Sequence, residues 1–444
     1  MRQSNDGMLG AMPVPRLVVT MSLPIMLSML ISAVYNLVDS VYVAQYSDEA
    51  FLALSYAYPI QMLLVAFCSG IGVGFSAIFS RRLGEGDQEQ AASAVCHGFF
   101  LYGLCWLLFL LFALTGAAPF LRLSTEDPSV ARQGAQYLLI CCGLSIGTCM
   151  QFLTERILQA MGRPAGFMIV QGSGAILNLI LDPIFIFVLD LGVAGAAAAT
   201  VIGQISGALI GFWLVYRLRR QLPIRLRGFR PRGEMLAEMG RVAAPAVVMQ
   251  SLSSFMSLGL NQLLTRWSES AVFVLGAYFK LQTFIFMPIF GISSGLIPIL
   301  SYNYGSGALR RVSASVRFGQ QFTAVLSLSG ALLLSLLASP LLRSAFRASP
   351  EALAMGAPAL RIIALSFFFA GTSIIFCSAF QSLGRGRWSL LVALLRQILL
   401  LLPAAALLLA LKPALVWAAF PLSELISCFA AALLYRRTIQ KQLL

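Results

Sequence analysis

The stretch Gly70-Ile71-Gly72-Val73-Gly74 returns 221 residues later as Gly291-Ile292-Ser293-Ser294-Gly295. At the same offset Pro24 matches Pro245, Gln61 matches Gln282, Ile78 matches Ile299, Ser80 matches Ser301, Gly84 matches Gly305 and Gly86 matches Gly307. Gln159 and Gly162-Arg163 recur as Gln381 and Gly384-Arg385, one residue out of step. Glycine and proline constrain backbone dihedrals rather than chemistry. Their recurrence therefore predicts two halves that share one backbone path.

The residues between these markers are apolar. Hydrophobic residues make up 59% of the 444 and charged ones 11%, with a mean hydropathy of +0.85, which excludes a soluble globular class. Stretches of about 20 or more apolar residues, enough to cross a bilayer core of roughly 30 Å, recur along the whole chain. Twelve are counted, from 17–44 to 413–435, with 132–155 as the fourth and 355–382 as the tenth. The expected fold is an all-α integral membrane protein, twelve transmembrane helices in two pseudo-symmetric six-helix lobes around a central cavity. The lobes are expected at 1–216 and 238–444, joined by a basic cytoplasmic linker at 217–237. Six spans per half give both halves one orientation, related by an axis along the membrane normal. A duplicated membrane chain with Gly and Pro interruptions points to a transporter whose site lies between the halves.

Lys and Arg set the orientation. Segments that are cytoplasmic when the N-terminus is inside hold 22 of the 31 basic residues. Both termini are therefore expected in the cytoplasm of a multi-pass protein of the cell (plasma) membrane. The net charge of +14 is topological, and no nucleic-acid partner is expected, because no soluble basic module carries it. The linker, with seven arginines and no acid over 217–232, reads as a strap on the anionic inner leaflet. The eight cysteines all fall inside predicted helices without metal-type spacing, and are expected to be packing residues rather than disulfides or ligands. The short polar N-terminal tail and long first helix do not suit a cleavable signal peptide.

Ionisable residues at membrane depth are costly, which makes them functional candidates. Three acids stand well inside predicted helices: Asp39, Asp182 and Glu424. At 1.5 Å per residue, Asp39 and Asp182 lie on the order of 7–12 Å beneath the outer face. Tyr137 and Thr200 reach a similar depth on helices that enter from outside. Asn178 shares a helical face with Asp182, and Tyr35 lies one turn from Asp39. Six polar side chains from four helices are thus expected in one layer. Loss of hydration favours the neutral form of a carboxylate, so the layer could bind and release H⁺. Asp39, Asn178, Asp182 and Thr200 could instead form an oxygen cage for Na⁺, with no other metal or cofactor expected. A purely structural use of two acids is disfavoured, because like charges repel in low dielectric unless a proton or cation sits between them. His97 is expected to be structural, and Glu424 and Arg396 to neutralise each other. Lys280 stands at the same depth in the second half, with packing or a substrate role both open.

The run Tyr35-Asn36-Leu37-Val38-Asp39-Ser40, with Ala57-Tyr58-Pro59-Ile60-Gln61, Arg82-Leu83-Gly84-Glu85-Gly86-Asp87, Leu158-Gln159-Ala160-Met161-Gly162-Arg163, Asn178-Leu179-Ile180-Leu181-Asp182-Pro183 and Asn303-Tyr304-Gly305, resembles bacterial transporters of the MATE (multidrug and toxic compound extrusion) family over nearly the whole chain. The resemblance implies a secondary active antiporter, not an enzyme. It would export organic cations and other amphiphilic small molecules against H⁺ or Na⁺ by alternating access. It also implies that the ion-coupling site falls on Asp39, Asn178, Asp182 and Thr200 with Tyr35 and Tyr137 in support, and that the first helix bends at Pro24 as a gate. Some relatives carry a second carboxylate pair for sodium; here 240–266 and 355–382 hold no Asp or Glu, Glu238 and Glu351 lying at the ends.

Asn36, Gln61, Met256, Phe279, Lys280, Gln282 and Met287 are expected to face the substrate in an apolar, aromatic cavity. The protein is expected to work as a monomer in the lipid bilayer. A flippase for a lipid-linked precursor would use a similar architecture but a more cationic cavity. One histidine and no clustered acidic motif argue against a membrane-embedded enzyme.

Overall fold

Each half opens with a long helix that turns sharply into the next. In the computed structural model, α1 (Val14–Tyr46) and α2 (Asp48–Glu85) are separated by Ser47 alone, whose hydroxyl accepts the Ala50 amide at 3.0 Å. The second half repeats the device. Between α8 (Gly233–Thr265) and α9 (Glu269–Gly305), Ser268 accepts the Ser270 amide at 3.1 Å. Ser47 and Ser268 are 221 residues apart and satisfy the orphan amides of the helix that follows. At the far end of α2 the chain reverses at Gly86 (φ +78°), and beyond α9 at Gly307 (φ +77°), a left-handed conformation that favours glycine.

The description covers residues 8–218 and 229–440, apart from the side chains of Leu37, Ile439 and Gln440. Among the described residues ten helices are long and apolar enough to cross a membrane, twelve when two bent pairs are each taken as one span. Besides those above they are α3 (Gln88–Thr115), the pair α4 (Pro128–Gly143) and α5 (Ile146–Ala160), α6 (Pro164–Val188), α7 (Gly192–Arg217), α10 (Leu309–Ser344), the pair α11 (Pro350–Ala364) and α12 (Phe367–Ser382), α13 (Gly386–Leu411) and α14 (Pro413–Thr438). The sequence reads 132–155 and 355–382 as single runs. The structure bends each pair by 43°, and α5 and α12 resume 221 residues apart. Hydropathy registers length and polarity, not direction, so a bend that keeps its residues apolar leaves no trace in it.

The repeated glycines are where the halves touch. A Cβ built on Gly70 would meet Val247 of α8, and one on Gly291 would meet Met26 of α1; one on Gly74 would meet Ala243, and one on Gly295 would meet Ser22. A Cβ on Gly84 would strike the Tyr302 carbonyl, and one on Gly305 the Arg81 carbonyl. Each contact becomes its counterpart when 221 is added or subtracted, so the interface is built twice about a pseudo-two-fold axis. Small residues let helix backbones approach where lipid supplies little apolar driving force.

Polar contacts also join the halves. Arg82 reaches Glu238 at 2.8 Å, and Arg311 and Asn303 hold the carbonyl of Leu9 at 3.2 and 3.1 Å, all at the Gly84 and Gly305 end. Deeper in the bundle, beside Gly72 and eleven residues before Gly305 along α9, Arg156 reaches Ser294 Oγ at 2.6 Å.

One buried core runs from Val43 to Leu218 in the first half and takes in Met235 and Met239 of α8, and a second runs from Leu260 to Phe420 within the second half. A third packs Leu17, Val18 and Met21 of α1 with Ile292, Leu296 and Phe380. The helix that opens each half therefore starts against the other half's core, since Met235 and Met239 of α8 likewise pack with the first. Of the basic linker expected at 217–237, residues 219–228 lie outside the described residues, and 233–237 belong to α8. Its visible end docks on α3: Phe229 lies edge-on to His97 at 4.9 Å, and the Arg232 amide donates to His97 Nε2 at 2.8 Å.

Candidate functional site

The expected polar layer assembles in the first half. Asp39 on α1 and Asp182 on α6 are direct neighbours. Asn178 donates to Asp182 Oδ1 at 3.0 Å and lies 3.4 Å from Thr200 Oγ1 on α7. Asp182 is fully buried, and Asn178, Thr200 and Tyr137 are nearly so. Tyr35 lines a cavity of about 20 Å³ together with Asn178 and Thr200, and Tyr137 of α4 adjoins Gln61.

Local sequence explains the convergence. Gly174 and Gly203 face each other, each leaving room for the other's carbonyl at less than 3 Å from a would-be Cβ. That lets α6 and α7 approach until Asn178 spans them. Directly after Asp182, Pro183 lacks an amide and Ile184–Val188 form a π-helical turn, a feature frequent at functional sites. On the α1 side, Gln171 of α6 donates to Ser32 Oγ at 2.7 Å.

Asp39 Oδ1, Asp182 Oδ2, Asn178 Oδ1 and the Tyr137 hydroxyl are all buried without a hydrogen-bond partner. Such orphans are rare and costly in hydrocarbon, and here four converge. Neither acid forms an ion pair among the described residues, whereas the half-buried Glu424 accepts from Arg396 Nη2 at 2.7 Å. The second-half pair thus neutralises itself as the sequence reading favours, while the first-half pair faces no fixed cation. Hard oxygen donors of this kind suit a proton or an alkali cation.

The other expected residues are dispersed. Pro24 lies inside α1, which runs unbroken from Val14 to Tyr46, between Ser22 and Met26 that press on Gly295 and Gly291. Asn36 turns its amide back onto the Ser32 carbonyl at 2.8 Å. Met256 and Phe279 pack against the second-half core. Lys280 is exposed, and Gln282 and Met287 are half-buried. None of the seven substrate candidates lines the cavity beside Asn178 or a larger one of about 350 Å³ near Tyr46, Glu49, Gln133 and Gln136.

Three buried groups depart from the sequence reading. Glu155 and Arg156 are 2% and 6% exposed, although the sequence places Arg156 in an inner loop and leaves Glu155 out of the intramembrane acids. Helix α5 continues to Ala160, which buries Glu155 against Gln151 and carries Arg156 to Ser294 of the other half. The Sγ atoms of Cys68, Cys105 and Cys149 lie within 4.8 Å of one another, although their sequence spacing gives no sign of it; three helices bring them together. His97 is structural: Nδ1 meets the Ser93 carbonyl at 2.8 Å while Nε2 accepts from Arg232. That partner set requires the neutral Nδ1–H tautomer.

The MatE family signature matches residues 24–184 and 245–407, two stretches that begin at Pro24 and Pro245. The chain is 26% identical over 402 residues to the multidrug export protein MepA of Staphylococcus aureus strain MRSA252, covering 88% of this chain and 86% of that one. It is 26% identical over 421 residues to an FAD transporter of Shewanella oneidensis, covering 91% and 90%. Its fold is similar, with a TM-score of 0.92 and 99% of both chains covered at 23% identity, to the outward-facing conformation of a multidrug resistance MATE family transporter of the MOP superfamily. The duplicated family signature and the twelve-span architecture lead to one conclusion: the chain belongs to the MatE family, and is a membrane transporter rather than an enzyme.

Proposed function

We infer that this transporter exports amphiphilic or cationic small molecules from the cell by alternating access, in exchange for H⁺ or Na⁺. The observation that carries this reading is the adjacent pair of Asp182, fully buried, and Asp39, half-buried, each with an orphaned oxygen and neither with a fixed cation among the described residues. Two bare carboxylates repel strongly in low dielectric, and a shared proton or a bound Na⁺ relieves that repulsion. The pair therefore has different energies loaded and empty, the condition under which an ion shifts a conformational equilibrium.

The Lys and Arg distribution assigns the Gly84 and Gly305 end to the cytoplasm, with both termini there. Closure at that end then corresponds to an outward-open state. Loading of Asp39 and Asp182 from outside would favour bending of α1 at Pro24, withdraw Ser22 and Met26 from Gly295 and Gly291, and let the halves rock inward. Asn178, Thr200, Tyr35 and Tyr137 would hold the ion or orient the acids. Asn36, Gln61, Met256, Phe279, Lys280, Gln282 and Met287 would meet substrate in the space between the halves. One chain contains both halves of this machine, so the monomer is the working unit.

Dye efflux from proteoliposomes, with pH and Na⁺ gradients imposed separately, tests the reading. One gradient drives efflux against a dye gradient in the native protein, and Asp39→Asn abolishes that drive. Gradient-driven efflux at the native rate in Asp39→Asn refutes it. A second reading, export of an anionic flavin nucleotide, is favoured by the exposed Lys280 and by the likeness to an FAD transporter over 91% of the chain. Efflux of FAD in place of cationic dye from the same vesicles selects it.

A further inference from the structure

A chain of buried polar groups runs from the acid pair toward the contact that closes the halves. The cavity of about 20 Å³ beside Asn178 is also lined by Gln151 and Gln171, and a space of that size admits a single water. Gln151 Nε2 donates to Glu155 Oε1 at 2.9 Å and lies 3.1 Å from Gln171 Oε1. Next in the chain, Arg156 Nη1 donates to Gln159 Oε1 at 3.0 Å and to Ser294 Oγ of the other half at 2.6 Å. Gln159 Nε2 donates to the Ser294 carbonyl at 2.6 Å.

Arg156 is a buried cation whose hydrogen-bond partners are neutral, Gln159 and Ser294, and its Nε has none among the described residues. Glu155 is the nearest anion able to balance it, one residue away and just as buried. The groups that face Glu155 are Arg156 on its own helix, Tyr102 on α3 beside Arg156, and Tyr35 on α1, with Asp39 and Asp182 beyond the cavity. No other acid or cation closes on it among the described residues. The sequence leaves Arg156 room: a Cβ on Gly72 would lie 2.9 Å from Arg156 Nε and from the Tyr102 hydroxyl.

We propose that Glu155 is a second proton-binding site of the transport cycle, and that its protonation releases the Arg156–Ser294 latch between the halves. A proton released by the Asp39–Asp182 pair is bound at a Glu155 oxygen, on the far side of the cavity that Asn178 and Gln151 line. The pair regains its negative charge and Glu155 loses its own. Arg156 is then a buried cation without a counter-charge, which raises the energy of the closed latch. The halves separate at that end, water reaches Arg156, and the proton leaves Glu155 on that side. The inference rests on the coupling role given to Asp39 and Asp182.

The seam residue Ala77, 1% exposed and packed with Val242 and Ile297, reports the latch when replaced by cysteine. Maleimide labelling of Ala77→Cys in detergent, without drug or gradient and corrected for the parent protein, rises as pH falls. With Glu155→Gln, which resembles the protonated carboxyl and keeps a hydrogen bond to Gln151, labelling is fast and independent of pH. With Glu155→Asp the pH dependence returns. A native pH profile in Glu155→Gln overturns the inference, and so does loss of the profile in both variants, which would mark a packing role. The two readings fail separately: efflux that survives Asp39→Asn removes the coupling role, whereas an unchanged labelling profile in Glu155→Gln removes only the latch.

Discussion

The two halves share a backbone but not a chemistry. Capping serines, left-handed glycines, bends and seam contacts recur 221 residues apart, yet the polar layer around Asp39 and Asp182 does not. The position matching Asp39 is Leu260, 1% exposed in the second core. At the offset of 222 set by Gly162 and Gly384, the positions matching Asn178 and Asp182 are Leu400 and Ala404. The second half instead buries Arg396 against Glu424, where the opposite charges cancel. Duplication preserved what two-fold closure requires of both copies. It left free the residues at the positions of the first half's polar layer, which the second half fills with apolar side chains.

The largest effect should come from disturbing the layer on one side only. Asp182→Asn is expected to reduce drug resistance in cells to the level of an empty vector, while Ala404→Ser leaves it native; comparable loss in both would mean that the halves are chemically equivalent. Perturbing the seam should give the opposite pattern. In Gly84→Ala and Gly305→Ala the new methyl group strikes a carbonyl of the facing helix, and both are expected to weaken closure and raise labelling of Ala77→Cys to a similar degree. Unequal effects would break the symmetry of the interface.

The smallest effect on transport is expected at the self-neutralised pair. Arg396→Leu strands Glu424 in the second core and should cost about 3–5 kcal/mol of stability, read as a lower Tm in detergent. Adding Glu424→Leu should recover most of that loss, with efflux retained. A double variant as unstable as the single one would assign Arg396 a role beyond balancing charge.

The acid pair was legible because carboxylates in an apolar run stand out and because helix rise converts position into depth. The seam was legible as recurring glycine, though not as contact. Glu155 and Arg156 were not, since both sit at the end of an apolar run and look like the first residues of a loop. Apolar Phe152, Leu153, Ile157 and Leu158 on either side were the available signal that α5 continues past them. The cysteine triad left no signal, because its members come from α2, α3 and α5.

Composition, periodicity and the 221-residue recurrence determined that this chain crosses the membrane twelve times as two copies of one path, and that Asp39, Asp182 and Glu424 lie at depth. Those properties are local, set residue by residue through hydration and backbone geometry. The tertiary structure decided which faces turn toward each other. It placed Asp39 beside Asp182, carried Arg156 to Ser294 and brought the glycines of one half against the helices of the other. Such pairings depend on bends and crossings that no single segment encodes, because close packing in the bilayer is settled between helices rather than within them.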